Sequence, residues 1–261
     1  MKLDLSHDLL PLLPPIYREV QDYQKICTAE KAEFDLLAGS VEGVQSNFFF
    51  QTMDEDSVAQ WEKVFHIVAV PEKELKVGIV NEAMVADYVI LDVSMVEKLP
   101  PKIAASTGLD ALAHAIECFT SKKANPISDT FALRALEMIM MNLEAACGEP
   151  ADLHAREQIL LASFYAGVAI TASGTTAVHA LSYPLGGKYH IPHGVSNAIM
   201  LAPVMRFNEP DCRELLAAAY DRIADDGAAM TEEEKSGNLI KKLCRMVEVL
   251  EIPASLSVYG V

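Results

Sequence analysis

From Thr107 to Val249 the chain reads as one helical segment after another, and this pattern restricts its fold more than any other feature. The spacing predicts helices over about 107–121, 128–147, 153–172, 175–186, 194–207, 210–225 and 231–249. Several have recognisable starts. Asn125-Pro126 and Ser128-Asp129 precede an apolar-periodic run, Pro210-Asp211 opens another, and Thr231-Glu-Glu-Glu has the form of a capping box. Upstream, Lys76–Val80 and Tyr88–Leu91 are short β-branched runs that predict strands. The fold class that follows is mainly α, a helical bundle with a few short strands.

Chemistry enters this helical region through Asp110 and His114. They stand four residues apart in an apolar run, so one helix face presents a carboxylate and an imidazole together. Alone, such a pair is more often an ordinary helix-surface contact. Two later histidines, His179 and His193, lie in segments punctuated by glycine and proline. A carboxylate with apolar flanks also needs a cation beside it. Together the four residues read as a divalent metal site whose mixed N/O donors suit Fe(II), Zn, Co or Ni better than Mg or Ca. Tyr183-Pro-Leu-Gly-Gly187 is expected to end a helix, because paired glycines admit positive φ, and Pro192 to restrict the approach to the next. His190 is expected at the surface or beside a ligand rather than as a fifth donor. His7, His66 and His154 fall outside the pattern.

Bulk properties exclude several classes. A chain of 261 residues, 51% of them hydrophobic, can fill one large or two modest cores. A formal net charge of -16 opposes nucleic-acid binding. No apolar run approaches the ~20 residues of a membrane span, and the start lacks the order of a signal peptide, so a cytoplasmic location is expected. Cys27, Cys118, Cys147, Cys212 and Cys244 are scattered without pairing spacing, as expected of reduced core thiols.

The segments Leu99-Pro-Pro-Lys-Ile-Ala-Ala-Ser-Thr-Gly-Leu-Asp-Ala-Leu-Ala-His-Ala-Ile-Glu117, Asn125-Pro-Ile-Ser-Asp129, His179 to Gly194 and Ile252-Pro-Ala-Ser-Leu-Ser-Val-Tyr-Gly260 carry a family likeness. From about Lys76 to Val261 the chain resembles the iron-containing (group III) alcohol dehydrogenases, in their dehydroquinate synthase-like C-terminal helical domain. The resemblance implies Asp110, His114, His179 and His193 as ligands of Fe(II), with Zn, Co or Ni as alternatives. It implies a Lewis-acid role for the metal, NAD or NADP as cofactor, and a small alcohol or aldehyde as substrate. Many relatives carry a further His near the nicotinamide where this chain has Tyr183. A phenol is a poor base near neutrality but can pass a proton in a hydrogen-bonded chain, so Tyr183 is either a packing residue with a polar tip or, as the one candidate here, catalytic.

Family members also have a nucleotide-binding α/β domain with a glycine-rich phosphate loop, and further C-terminal helices. No such loop is found here, since only Gly39 and Gly43 precede Gly78. Residues 1–67 show amphipathic stripes (Val20, Tyr23, Ile26, Cys27; Phe34, Leu37, Ala38, Val41) and resemble an N-terminal segment of phage tail and baseplate proteins, through Leu-Pro-Pro-Ile-Tyr17 and Asn47-Phe-Phe-Phe-Gln-Thr52. The expected division is 1–67 as a helical segment of separate origin, 68–98 as strand remnant and linker, and 99–261 as the metal-binding helical domain. Without the nucleotide domain, turnover should be weak or nil. The alternatives are then a non-catalytic metal-binding fragment or a tail-assembly protein. The face left open should favour homo-oligomers.

Overall fold

Two adjacent prolines, Pro100 and Pro101, set the start of the helix around which the others are arranged. In a computed structural model of the chain, the residues described are 89–253 and 255–261, preceded by the backbone of strands at 50–51, 67–70 and 75–78. The helical N-terminal segment expected over 1–67 lies almost wholly outside the described residues. The chain divides into two units, residues 1–70 with 76–91 and residues 71–75 with 92–261.

In the first, β1 (Phe50–Gln51) pairs antiparallel with β4 (Val89–Ile90), placing Phe50 opposite Ile90 and Gln51 opposite Val89. β2 (Ile67–Val70) pairs with β3 (Leu75–Gly78). The strands expected at 76–80 and 88–91 are thus present in shortened form, with residues 79, 80 and 88 outside the described set.

The second unit is helical. α1 (Pro101–Thr120) is followed by α2 (Pro126–Ala146), α3 (Leu153–Ser173), α4 (Ala177–Tyr189), α5 (His193–Ile223) and α6 (Glu232–Val249). α1 packs against α2, α3, α4 and α5. Leu109, Leu112, Ala113, Ala115, Ile116 and Cys118 are fully buried on it. A helix apolar on every side belongs in an interior, and α1 occupies one. A Cβ at Gly108 would collide with Leu143 of α2, so the missing side chain sets how closely these helices approach.

Local signals explain most helix ends. Proline at N1 moves the start of α1 six residues before the expected Thr107, because its fixed φ suits a first turn. Asn125 caps α2 through Ile127 N and Ser128 N, and Ser128 completes the capping box. Thr231 and Glu234 form the expected box at α6.

Two expectations are corrected. Helix α4 continues through Pro184, Gly186 and Gly187 to Tyr189, and the turn is made by His190 in the left-handed region (φ 54°). Both glycines are buried, so they serve close packing rather than chain reversal. The two helices expected at 194–207 and 210–225 are both present, end to end in α5, but the break between them falls at the non-helical Cys212 rather than at 208–209. Pro210 lies two residues before that kink, where its missing N–H and its ring crowding the preceding turn favour the break.

Arg156 of α3 is a buried cation held by carbonyls. Its Nε donates to Ala146 O (3.0 Å), its Nη1 to Val96 O (2.5 Å) and Glu97 O (2.6 Å), and its Nη2 to Leu99 O (2.7 Å). The segment before α1 is thereby tied to the α2–α3 connection. Among the described residues no single helix is long and apolar enough to cross a membrane.

Candidate metal centre

Helix α1 presents Asp110 and His114 one turn apart, α4 contributes His179 from its first turn, and α5 opens on His193. The close approach of α5 to α1 depends on Gly194, where a Cβ would run into the carbonyl of Ser106. With no side chain in the way, His193 reaches the Asp110 face.

The four donors converge. Asp110 Oδ1 lies 4.0 Å from His114 Nε2, 3.6 Å from His179 Nε2 and 3.7 Å from His193 Nε2. Donors around a tetrahedral cation with bonds of ~2.1 Å stand about 3.4 Å apart, so these separations suit one shared ion. The ligand atoms of Asp110, His114 and His179 also lie within 4.8 Å of one another. The rings of His114 and His179 stack at 4.4 Å, and His193 meets His179 edge-on at 5.4 Å. Asp110 and His179 expose 3% of their side chains, against 12% for His114 and 11% for His193, so the centre is less enclosed on the side of those two rings.

Two further residues complete the cluster, and sequence reasoning passed over both. Asn197, one turn after His193, donates through Nδ2 to Asp110 Oδ1 (2.5 Å), and the same nitrogen lies 3.0 Å from His179 Nε2 and 3.2 Å from His193 Nε2. Among the described residues its buried Oδ1 has no hydrogen-bond partner. Glu117, fully buried on α1, approaches His179 Nδ1 at 2.5 Å through Oε2. The i, i+4 spacing of His193 and Asn197 and the i, i+7 spacing of Asp110 and Glu117 are the signals that could have revealed them.

Electrostatics agree with a cation site. Burial opposes ionisation of Asp110, yet His114, His193 and His179 hold its carboxyl far below the usual carboxylate range. Burial drives His114 down to about 4, against the pull of Asp110. Burial also favours neutral His179, but its hydrogen bonds to Asp110 and Glu117 prevail and raise it to about 9. Glu117 is likewise lowered: burial resists, and the bonds from His179, Thr176 and Val178 outweigh it. Two buried carboxylates facing three imidazoles make a pocket with a demand for positive charge. The ion-pair partners of Asp110 among the described residues are imidazoles, so no Lys or Arg meets that demand. The donor chemistry and the separations fit a bound divalent ion.

Tyr183 lies beside the cluster, one turn after His179. Its ring stacks on His193 at 6.0 Å and meets His179 edge-on at 6.5 Å. Burial, then the charges of Asp110 and Glu117, push its pKa up, so the phenol keeps its proton. His190 is exposed as the left-handed cap of α4, and His154 is a surface residue near Glu157. His7 and His66 lie outside the described residues. Cys118, Cys147, Cys212 and Cys244 are free thiols, and burial raises Cys118 and Cys147 to about 11. Cys27 lies outside the described residues.

Comparison with known proteins follows the same residues. The C-terminal region of the Fe-containing alcohol dehydrogenase family matches residues 104–261. The long-chain-alcohol dehydrogenase 1 of Geobacillus thermodenitrificans is 35% identical over 183 residues, covering 70% of this chain and 46% of that protein. Alcohol dehydrogenase 4 of Saccharomyces cerevisiae is 32% identical over 244 residues, covering 93% of this chain and 59% of its own length. That alignment therefore extends into residues 1–67. Among solved structures, a 1,3-propanediol oxidoreductase superposes with a TM-score of 0.70 at 33% identity, over 73% of this chain and 50% of that one. The chain spans about half the length of the curated relatives it matches. Its helical unit corresponds to their C-terminal helical domain, and the chain belongs to the iron-containing alcohol dehydrogenase family.

Proposed function

We propose that Asp110, His114, His179 and His193 hold one divalent transition metal, Fe(II) by family, and that residues 99–261 are the metal-bearing domain of an NAD(P)-dependent alcohol or aldehyde oxidoreductase, with residues 68–98 as its strand-containing connection. The observation that carries this reading is the convergence of three imidazole Nε2 atoms within 4.0 Å of one buried carboxylate oxygen. When bound, the metal supplies Lewis acidity toward the oxygen of a small alcohol or carbonyl substrate.

The protein's own residues would do the rest. Asp110 and His179, almost wholly enclosed, exclude water from one side of the centre, while His114 and His193 border the side from which a small substrate reaches it. Tyr183, its ring stacked on His193, would be the proton-holding group beside the centre, in the place where the family resemblance puts a His. Hydride transfer needs the nicotinamide and substrate carbons held ~3 to 3.5 Å apart.

Elemental analysis after anaerobic reconstitution tests the reading. About one Fe, Zn, Co or Ni per chain is expected, lost when His179 and His193 are both replaced by Ala. A protein that takes up no metal, or binds it equally well without those histidines, would overturn it. A second reading is a metal-binding domain with weak or no turnover of its own. NAD(P)H formation from primary alcohols separates the two, since a robust chelator-sensitive rate belongs only to the first.

A further inference from the structure

Glu117 does two things at once. Its Oε1 accepts hydrogen bonds from Thr176 N (3.0 Å), Thr176 Oγ1 (2.6 Å) and Val178 N (2.7 Å), at the start of α4. Helix α4 lacks a side-chain cap of its own, as Thr176 makes no such bond, so a carboxylate from α1 satisfies N–H groups that would otherwise be orphaned. The other oxygen, Oε2, accepts from His179 N at 3.4 Å and faces His179 Nδ1 at 2.5 Å.

The consequence for His179 is chemical. A carboxylate accepts only, so the ring nitrogen facing it carries hydrogen. In the neutral imidazole the lone pair then resides on Nε2, the atom that looks toward Asp110 at 3.6 Å. An outer carboxylate of this kind settles which tautomer a ligand adopts and how its ring is turned. We infer that Glu117 is a positioning residue for the metal centre: it locks His179 as the Nδ1–H tautomer with Nε2 free to ligate, while pinning the first turn of α4 to α1. The inference rests on the metal reading above only for its functional consequence; the orientation of the ring stands on the geometry itself.

The substitution that separates positioning from packing is Glu117→Gln. A glutamine of nearly the same shape keeps an oxygen for Thr176 and Val178 but turns an NH2 toward His179, which favours hydrogen on Nε2, the wrong atom for ligation. Thr176→Val serves as the control, since it removes one hydrogen bond to the same oxygen and leaves the ring contact intact. Nitrogen-15 imidazole spectra of metal-free protein at alkaline pH, where the rings are neutral, should show His179 as Nδ1–H in the parent and in Thr176→Val. In Glu117→Gln it should be Nε2–H. Zinc affinity, measured by competition with a chromophoric chelator, should fall about 10- to 100-fold in Glu117→Gln and stay within about twofold of the parent in Thr176→Val. An unchanged tautomer together with parental zinc affinity in Glu117→Gln overturns the inference, as does an Nε2–H ring in the parent, which decides the matter even if the variant does not fold. If the parent shows the Nδ1–H ring but binds no zinc, the metal reading falls and the orienting role of Glu117 remains.

Discussion

Asp110 is the donor that all three imidazoles share, and it reaches the cluster from a helix with almost no other polar group inside. Asp110→Asn keeps the shape and removes the charge. Metal affinity should drop by more than the ~10- to 100-fold expected for an outer partner, because an amide oxygen is a weaker ligand than a carboxylate. Isothermal titration with zinc reads this directly, and affinity within tenfold of the parent would show that Asp110 is not a ligand. The site residues were legible at this scale where spacing and residue type agreed: an Asp and a His one turn apart in apolar surroundings stand out. Glu117 and Asn197 did not, because a Glu or Asn within a helix normally faces water, and their burial is a property of how α1 and α5 are packed. Arg156 escaped notice for the same reason, since nothing in its neighbours announces four carbonyls at its guanidinium.

Helices were readable wherever their ends were written locally. The capping box of α6 needs only Thr231 and Glu234, whose mutual bonds of 3.2 Å and 2.8 Å lie within four residues of chain. Thr231→Ala should therefore destabilise the helical unit by about 1 kcal/mol, measured by urea unfolding, and no loss would show that the cap is redundant. The end of α4 differs from the sequence expectation because its determinants are tertiary, and in α5 only the position of the break differs. Gly186 and Gly187 look like breakers in sequence, yet they are buried inside the helix, and the reversal falls to exposed His190. In α5 the break falls at Cys212, two residues after Pro210, so the proline marks it locally and only its exact position is shifted. The prolines preceding α1 were visible, but their role as a first turn was not weighed against the apolar run that follows.

Across the helical unit, a bound ion would connect α1 with α4 and α5, which follow it only after α2 and α3. A ligand that binds only the folded state stabilises it by mass action, about 2.7 kcal/mol at a free concentration ~100 times its dissociation constant. Removing metal with a chelator should lower the melting temperature by roughly 5 to 10 °C for a unit of this size. The His179→Ala, His193→Ala double variant should be insensitive to chelator, and an equal shift in that variant would mean that the stabilising ion sits elsewhere.

Among the described residues, the guanidinium of Arg156 donates its hydrogen bonds to main-chain oxygens of Val96, Glu97, Leu99 and Ala146. Every amino acid supplies such an oxygen, so the anchorage is indifferent to which side chains its clients carry. Mutational tolerance around it should accordingly be lopsided. Glu97, whose side chain is exposed, should accept nearly any residue except proline with a change in unfolding free energy within about 0.5 kcal/mol. Arg156→Met should cost upwards of ~2 kcal/mol, because several enclosed carbonyls lose their donor together. One position then bears the constraint for a whole stretch of chain, and that stretch is left free to drift.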